Sequence, residues 1–428
     1  MAKVLAEPFM VDSSRRFLFL QGLRSPFFHR LATALRSQGQ VVDKVHFNVG
    51  DEAYWQGEAI RCLAPERALP GFYQSLFDGH RYTDVVLFGD CRPVHRPAIA
   101  RARSLGMAVH VFEEGYFRPD WVTLEVGGVN GYSFMPKSAS WYRKVASRVL
   151  ELPVHTPLPS GFKARVWHDI IYNIACIGNI WRYPNYSNHV PYPIHDEYLA
   201  YARRAVMLQR KRGRDAGIVR ALCEPDAAPF FLLALQIKGD SQLRFHSDYA
   251  DPFKLLSEVI TSFALHAPPD TKLLIKNHPL DPGMTDYPKM IREISGECGV
   301  SDRVLFIETG HLPTLLERAK GMVTVNSTTI GQALFRRCPV KPLGRSIFDM
   351  SGLTFQGDLD TFWIDPSVVD RELFVDVQRV FTHVTQIHGG LHSKQGIEIA
   401  VSHAMPRLME TDSRLAALLR EVPLESVT

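Results

Sequence analysis

A chain of 428 residues is too long for one typical hydrophobic core, so two domains are expected. Its 46% hydrophobic and 22% charged residues are those of an ordinary globular protein, and a formal net charge of +4 is too small to indicate a nucleic-acid partner. Six scattered cysteines with no CxxC pair argue against zinc and a disulfide framework, and fit a reducing cytosol.

The N-terminal residues lack the apolar core of a signal peptide. No window approaches the ~18 apolar residues of a membrane span, and residues 170–181 come nearest. The expected location is cytoplasmic, with at most peripheral attachment to the inner face of the inner membrane.

The first half alternates short apolar runs with helical patterns, the signature of βαβ units. Residues 16–22 read as a strand with its turn at Gln21-Gly22, and 25–39 as an amphipathic helix capped by Ser25 and ended by Gly39. Strands follow at 41–48 and at 83–90, the latter ending on Asp90; the DEAYW stretch between them reads as a loop. A helix at 96–106 leads to a strand in 107–121, which runs into Glu113-Glu114-Gly115-Tyr116. Residues of about 136 to 225 break the rhythm with Pro, Asn and aromatics, then a basic helical pattern at 196–215. That helix reads first as a solvated linker and second as a foot on anionic lipid.

A second alternating set begins near residue 226. Its strands are expected at 230–236, 272–279, 303–309, 322–329 and near 339–349, with helices between them and two more helical patterns in the last sixty or so residues. The fold class is therefore α/β, with two Rossmann-like domains. The expected division is 1–150, a connecting 151–225, 226–365, and C-terminal helices at 366–428.

In such sheets ligands collect at the C-terminal strand edge. Lys276, His278 and Pro279 end one strand of the second half; Asn326, Ser327, Thr328 and Thr329 end another and open a helix. Hydroxyls and free amides at a helix start, with a cation nearby, suit a phosphate. Gln236, Asp240, Ser241 and Gln242 form the polar tip of that half's first strand. In the first half, Glu113 and Glu114 offer carboxylates for proton transfer or for an electron-poor anomeric carbon, with Arg118 and Asp120 close by. Alternation along a strand sends the two in different directions. Glu114, nearer the turn, is the expected catalytic group, and Glu113 the one that holds the turn. An Asp-x-Asp at Asp358 and Asp360 lies in a Gly-rich loop and reads as surface, so no metal and no cofactor are expected.

The order EEG, HP, Ser/Thr cluster resembles bacterial sialyltransferases and polysialyltransferases, which use CMP-sugars. The longer strings FLFLQGLRSPFFHRLA, FGDCRPVH, FEEGYFRPDWVTLEVGGVNGYS and NSTTIGQALFRRCPVKPLG resemble the capsule polysaccharide biosynthesis family of the KpsS/LipB type, in patches from about Leu18 to Phe348. The resemblance implies a GT-B glycosyltransferase whose two Rossmann-like domains face a cleft. It implies CMP-Kdo as donor, a phosphatidylglycerol-type lipid acceptor, other capsule assembly proteins as partners, and net retention. Glu113 and Glu114 match the acidic pair, His278-Pro279 the HP motif, and Ser327 to Thr329 the hydroxyl cluster. His278 and the hydroxyls would hold the donor phosphate. Lys276 or Arg118 would pair with the sugar carboxylate, and Gln21, Gly22, Asp90, Tyr116, Arg118 and Asp120 would line the sugar and acceptor side.

Overall fold

The computed structural model describes residues 15–151, 157–187, 194–237 and 247–424, with 243 and 245 besides. Six strands come first in the chain: β1 (Arg16–Phe19), β2 (Val41–His46), β3 (Ile60–Arg61), β4 (Asp84–Phe88), β5 (Ala108–Glu114) and β6 (Trp121–Val126). Then come β7 (Phe230–Ala234), β8 (Lys272–Lys276), β9 (Val304–Ile307), β10 (Gly321–Thr324), β11 (Val340–Pro342) and β12 (Gln386–His388). They form two sheets in two compact units.

The first unit takes 15–129, 157–187 and 385–413 of the described residues. Its sheet runs β12-β6-β5-β4-β1-β2-β3; β3 to β5 are parallel through β1, β6 is antiparallel to β5, and β12 antiparallel to β6. Strand alternation divides the core between its faces. Phe17 and Phe19 join Phe27, Leu31 and Phe112 on one side, while Leu18 and Leu20 join Val85, Leu87 and Tyr73 on the other. With both faces covered, β4 is apolar after Asp84 and buried throughout. Each fully buried Phe or Leu contributes about 1.5–3 kcal/mol. The helix Phe27–Ser37 turns Phe27, Phe28, Leu31 and Leu35 to this sheet, at helical spacing. No side chain caps it at Pro26; Ser25 Oγ instead accepts from the Phe27 N–H at 3.3 Å.

The second unit takes 130–151, 194–237, 247–384 and 414–424 of the described residues. Its five strands are all parallel, in the order β11-β10-β7-β8-β9. Numbered within the unit, that is the 3-2-1-4-5 order of a dinucleotide-binding sheet read from the other edge. The core of one face gathers Phe231, Leu233, Ile275 and Val323 with Ile260, Phe263 and Trp363. The expected α/β class and the pair of Rossmann-type folds from which GT-B enzymes are built are thus both present.

Several local expectations are corrected. DEAYW opens with a short helix, Val49–Ala53, because Asn48 accepts the Asp51 N–H at 2.8 Å as its cap. The strand expected in 107–121 ends at Glu114, and the chain turns back at once into β6, which pairs antiparallel with it. The turn depends on Gly115: a Cβ there would lie 2.2 Å from the Trp121 carbonyl oxygen. The second of the two helical patterns expected near the C-terminus, 396–422, is two helices, Lys394–Met409 and Arg414–Glu421. Between Arg371–Thr385 and those helices lies β12, which no alternation in the sequence announces.

Candidate active site

In the first unit the strand order reverses between β1 and β4, and the tips of those strands carry Gln21-Gly22 and Gly89-Asp90. Gln21 is buried, with Nε2 3.3 Å from Asp51 Oδ2 and 3.4 Å from the Tyr186 hydroxyl. Its Oε1 accepts from Arg92 at 3.2 Å, and the same guanidinium donates to the Gly22 carbonyl at 2.8 Å. Asp51 also accepts the Phe47 N–H at 2.9 Å and the Tyr172 hydroxyl at 3.2 Å. Tyr172 comes from the helix Phe162–Cys176; it packs so closely that a Cβ on Gly50 would lie 2.6 Å from its ring. Lys44 is buried beside this cluster, donates to the Leu20 carbonyl at 2.6 Å, and is pushed down to about 8 by burial.

One strand further out, Glu113 and Glu114 take opposite faces of β5, as alternation requires. Glu113 faces the β4 tip: a Cβ on Gly89 would lie 3.4 Å from its Oε2, and its Oε1 accepts the Glu114 N–H at 3.0 Å. Burial pushes this carboxyl up to about 7, with the neighbouring Glu114 charge adding to the shift. The Glu114 amide, Arg92 and Arg118 oppose it. Glu114 faces cations instead, with Arg165 Nη1 at 3.3 Å and Arg118 Nε at 4.0 Å. Arg118 thus approaches Glu114, while Glu113 holds the backbone of the turn's first residue. His392, held down to about 4 chiefly by burial, feels the Glu114 charge.

Other residues expected near the acceptor are engaged with the chain itself. Asp90 accepts the Val129 N–H at 2.9 Å, and its carboxyl is raised by burial. The Tyr116 hydroxyl donates to Glu125 at 2.6 Å, and its N–H to Gln386 at 3.0 Å. Asp120 accepts the Leu158 N–H at 3.2 Å.

In the second unit the order reverses between β7 and β10. Gln236, beyond β7, and Asn326, beyond β10, are both buried and hydrogen-bonded to each other there. Ser327 Oγ accepts the Thr329 N–H at 3.2 Å, and the Ser327 carbonyl accepts the Ile330 N–H at 3.1 Å. Thr329 Oγ1 is buried without a hydrogen-bond partner. The helix that follows, Thr329–Phe335, is only seven residues long.

His278 stands beyond β8, next to β7 in the sheet. Its N–H donates to Asn277 Oδ1 at 2.7 Å, and its Nδ1 accepts from the Leu280 N–H at 3.1 Å, so a neutral ring carries its proton on Nε2. Arg204, buried on the long helix Ile194–Cys223, donates to the His278 carbonyl at 3.3 Å. Its charge is met by Glu308 at 3.2 Å and Asp281 at 3.6 Å. The basic helix therefore turns Arg204 and Lys211 toward Glu308 rather than only toward solvent. Lys276 does not project from the strand end: it is buried, donates to the Asn277 carbonyl at 3.2 Å, and is lowered by burial. Pro279 is exposed, and Asp240 lies outside the described residues.

The second unit thus brings together Gln236, Asn326, Ser327, Thr328, Thr329 and His278 at three adjacent strand tips. The first unit brings Gln21, Gly22 and Glu113 to one edge. Sequence reasoning missed Lys44, Asp51, Arg92, Arg165, Tyr172 and Arg204. Of these, only Asp51 carried a signal, as the acid in a polar stretch directly after a strand.

Against known proteins, a family model described as capsule polysaccharide biosynthesis protein matches residues 83–391. The capsule polysaccharide modification protein LipB of Neisseria meningitidis serogroup A is 35% identical over 394 residues, 90% of this chain and 93% of that one. The capsule polysaccharide export protein KpsS of Escherichia coli is 33% identical over 378 residues, 88% of this chain and 96% of that one. Among solved structures, Thermosulfurimonas dismutans KpsC, beta Kdo 2,7 transferase, aligns with a TM-score of 0.44 at 12% identity, over 92% of this chain and 98% of that one. A likeness at that level carries no functional reading.

Proposed function

Because the chain belongs to the capsule polysaccharide biosynthesis family, we propose that it is a glycosyltransferase that moves β-Kdo from CMP-Kdo to a phosphatidylglycerol-type lipid acceptor. The names of its LipB and KpsS relatives support a role in capsule synthesis. The order of acidic pair, His-Pro and hydroxyl cluster supports a CMP-sugar donor. What carries the reading is the second unit's switch point, where Gln236, Asn326, Ser327 and Thr329 meet with His278 one strand away.

In this reading the second unit holds CMP. The unpartnered Thr329 hydroxyl and the Nε2–H of His278 donate to the single phosphate. As the bond from the anomeric carbon to the phosphate oxygen breaks, CMP leaves with the electron pair, and these donors stabilise the growing charge. The first unit handles the acceptor, and Glu113 is the proton-transferring carboxyl. A group poised near neutrality is suited to take a hydroxyl proton as the new bond forms. Glu114 holds Arg165 and Arg118 in place, and the latter is set to meet the carboxylate of the sugar. Donor and product would both be β-linked, so configuration would be retained overall. Lys276, buried as it is, acts on the His-Pro loop from within rather than on the ligand.

The test is CMP release and product mass and linkage with a phosphatidylglycerol acceptor, run separately with CMP-Kdo and CMP-sialic acid. Turnover of CMP-Kdo to a β-linked glycolipid is expected. Turnover of CMP-sialic acid alone would move the reading to a sialyltransferase. Glycolipid binding without CMP release from either donor would make the chain a non-catalytic assembly or export component.

A further inference from the structure

The first unit carries an apolar surface that its own core does not use. Along the helix Phe162–Cys176 and the short helix Asn179–Arg182, the side chains of Phe162, Trp167, Ile174, Ile177, Ile180 and Trp181 face solvent. Trp167 is 62% exposed and Trp181 77%. Phe162, Val166, Ile170 and Ile174 recur every fourth residue, and Ile177 and Trp181 continue the row. Single exposed apolar residues are ordinary, but a contiguous row ending in tryptophan marks an interaction face.

The opposite side of the same helix is polar and anchored. Tyr172 enters the Gln21–Asp51 cluster, Asp169 pairs with Arg24, and Arg165 reaches Glu114. The helix is thus amphipathic, with its inner face built into the candidate acceptor edge.

We infer that this face lies on an anionic lipid surface and brings the acceptor edge of the first unit to the headgroup layer. Two features favour a bilayer over a protein partner. The row's two tryptophans have the apolar body and polar N–H that suit a membrane interface. Next to Phe162 and Trp181 in the chain stand the exposed bases Lys163 and Arg182, the latter 2.9 Å from Glu52, while the one acid of residues 157–187, Asp169, is paired with Arg24. The inference stands on the exposed face itself and is independent of the donor assignment.

The experiment uses the full chain with phosphatidylcholine vesicles, with and without phosphatidylglycerol. The wild type is expected to sediment with the mixed vesicles and less with the neutral ones, and brominated lipid is expected to quench its exposed tryptophans. Trp167→Ser with Trp181→Ser should weaken sedimentation by about tenfold or more at an unchanged melting temperature, since neither ring supports the core. Ile177→Ser is the second variant, and Trp→Phe at both positions should restore most of the binding. No sedimentation of the wild type, or equal sedimentation of the double variant, overturns the inference. So does a wild-type dimer, seen by ultracentrifugation, that the same substitutions dissociate, because a second copy then covers the face. CMP release with soluble glycerol phosphate as acceptor, measured in parallel, should be equal in wild type and double variant. If neither releases CMP there, the transferase reading fails while the vesicle result stands.

Discussion

Gln236 and Asn326 exchange two hydrogen bonds across the switch point of the second sheet, Nε2 to Oδ1 and backbone N–H to Oε1, each at 3.1 Å. Both residues are buried, so each is the other's replacement for water. Gln236→Met keeps the volume and removes both of these bonds from Asn326. The expected loss is about 1–3 kcal/mol in urea unfolding, with an unchanged m value and weaker CMP binding. Full stability in that variant would show that water satisfies the site without glutamine.

Glu113→Gln is expected to stabilise the protein above neutrality. The folded carboxyl keeps its proton until about pH 7, while the unfolded chain loses it near the ordinary 4.5. Between those values the unfolded state binds fewer protons, so stability falls as pH rises. The penalty at pH 8 is on the order of 1–3 kcal/mol, allowing for the part of the residue that stays solvated. Glutamine removes it, and unfolding curves of the two proteins should converge toward pH 4. The same change should cut the rate by about a hundredfold or more and abolish the rise in rate through pH 7. A variant that is less stable at pH 8 would make Glu113 a support for the turn, the role expected of it from the sequence.

Gly115→Ala should be among the most damaging single changes in the first unit. Its methyl would meet the Trp121 carbonyl, a backbone group that cannot rotate aside. A loss of about 3 kcal/mol or more is expected, read as low soluble yield and a lower melting temperature. An alanine variant with normal stability would mean that the turn can open.

His278→Ala should keep the fold and lose turnover. The ring is half-buried, and its Nδ1 accepts from the nearby Leu280 amide. A charge-assisted bond to phosphate is worth about 1.5–3 kcal/mol, so at least a tenfold fall in CMP-Kdo turnover is expected. A folded variant with full activity would remove His278 from the donor site.

The alternation of apolar runs and helices made the α/β class legible, because β4, β7 and β8 are buried on both faces and read as unbroken apolar strings. The polar strand tips were legible for the same reason: they follow directly after those strings. β6 and β12 were hidden by different causes. β6 follows β5 across only the residues 115–120, and those read as a continuation of β5. β12 is three residues long and pairs with a strand far away in sequence. Environments were less legible than positions. Nothing in KLLIKNHP tells that the Lys276 ammonium folds back onto Asn277, and nothing in EEG tells which carboxyl meets Arg165. The first depends on burial by the surrounding fold, and the second on a residue 51 positions away.

The last strand of the first sheet arrives late. Ile387, Leu391, Ile397, Ala400 and Leu408 share a core cluster with Phe27, Phe28 and Leu31, and Arg15 donates to the Leu408 carbonyl at 2.6 Å. A ribosome must therefore deliver nearly the whole chain before the first unit can close, while the second unit's sheet strands have all emerged by Pro342. During synthesis the aromatic face around Phe27 and Phe28 waits uncovered, a period in which a chaperone would find a binding surface. A nascent chain stalled before residue 386 should display the N-terminal unit as the protease-sensitive part, although it was made first.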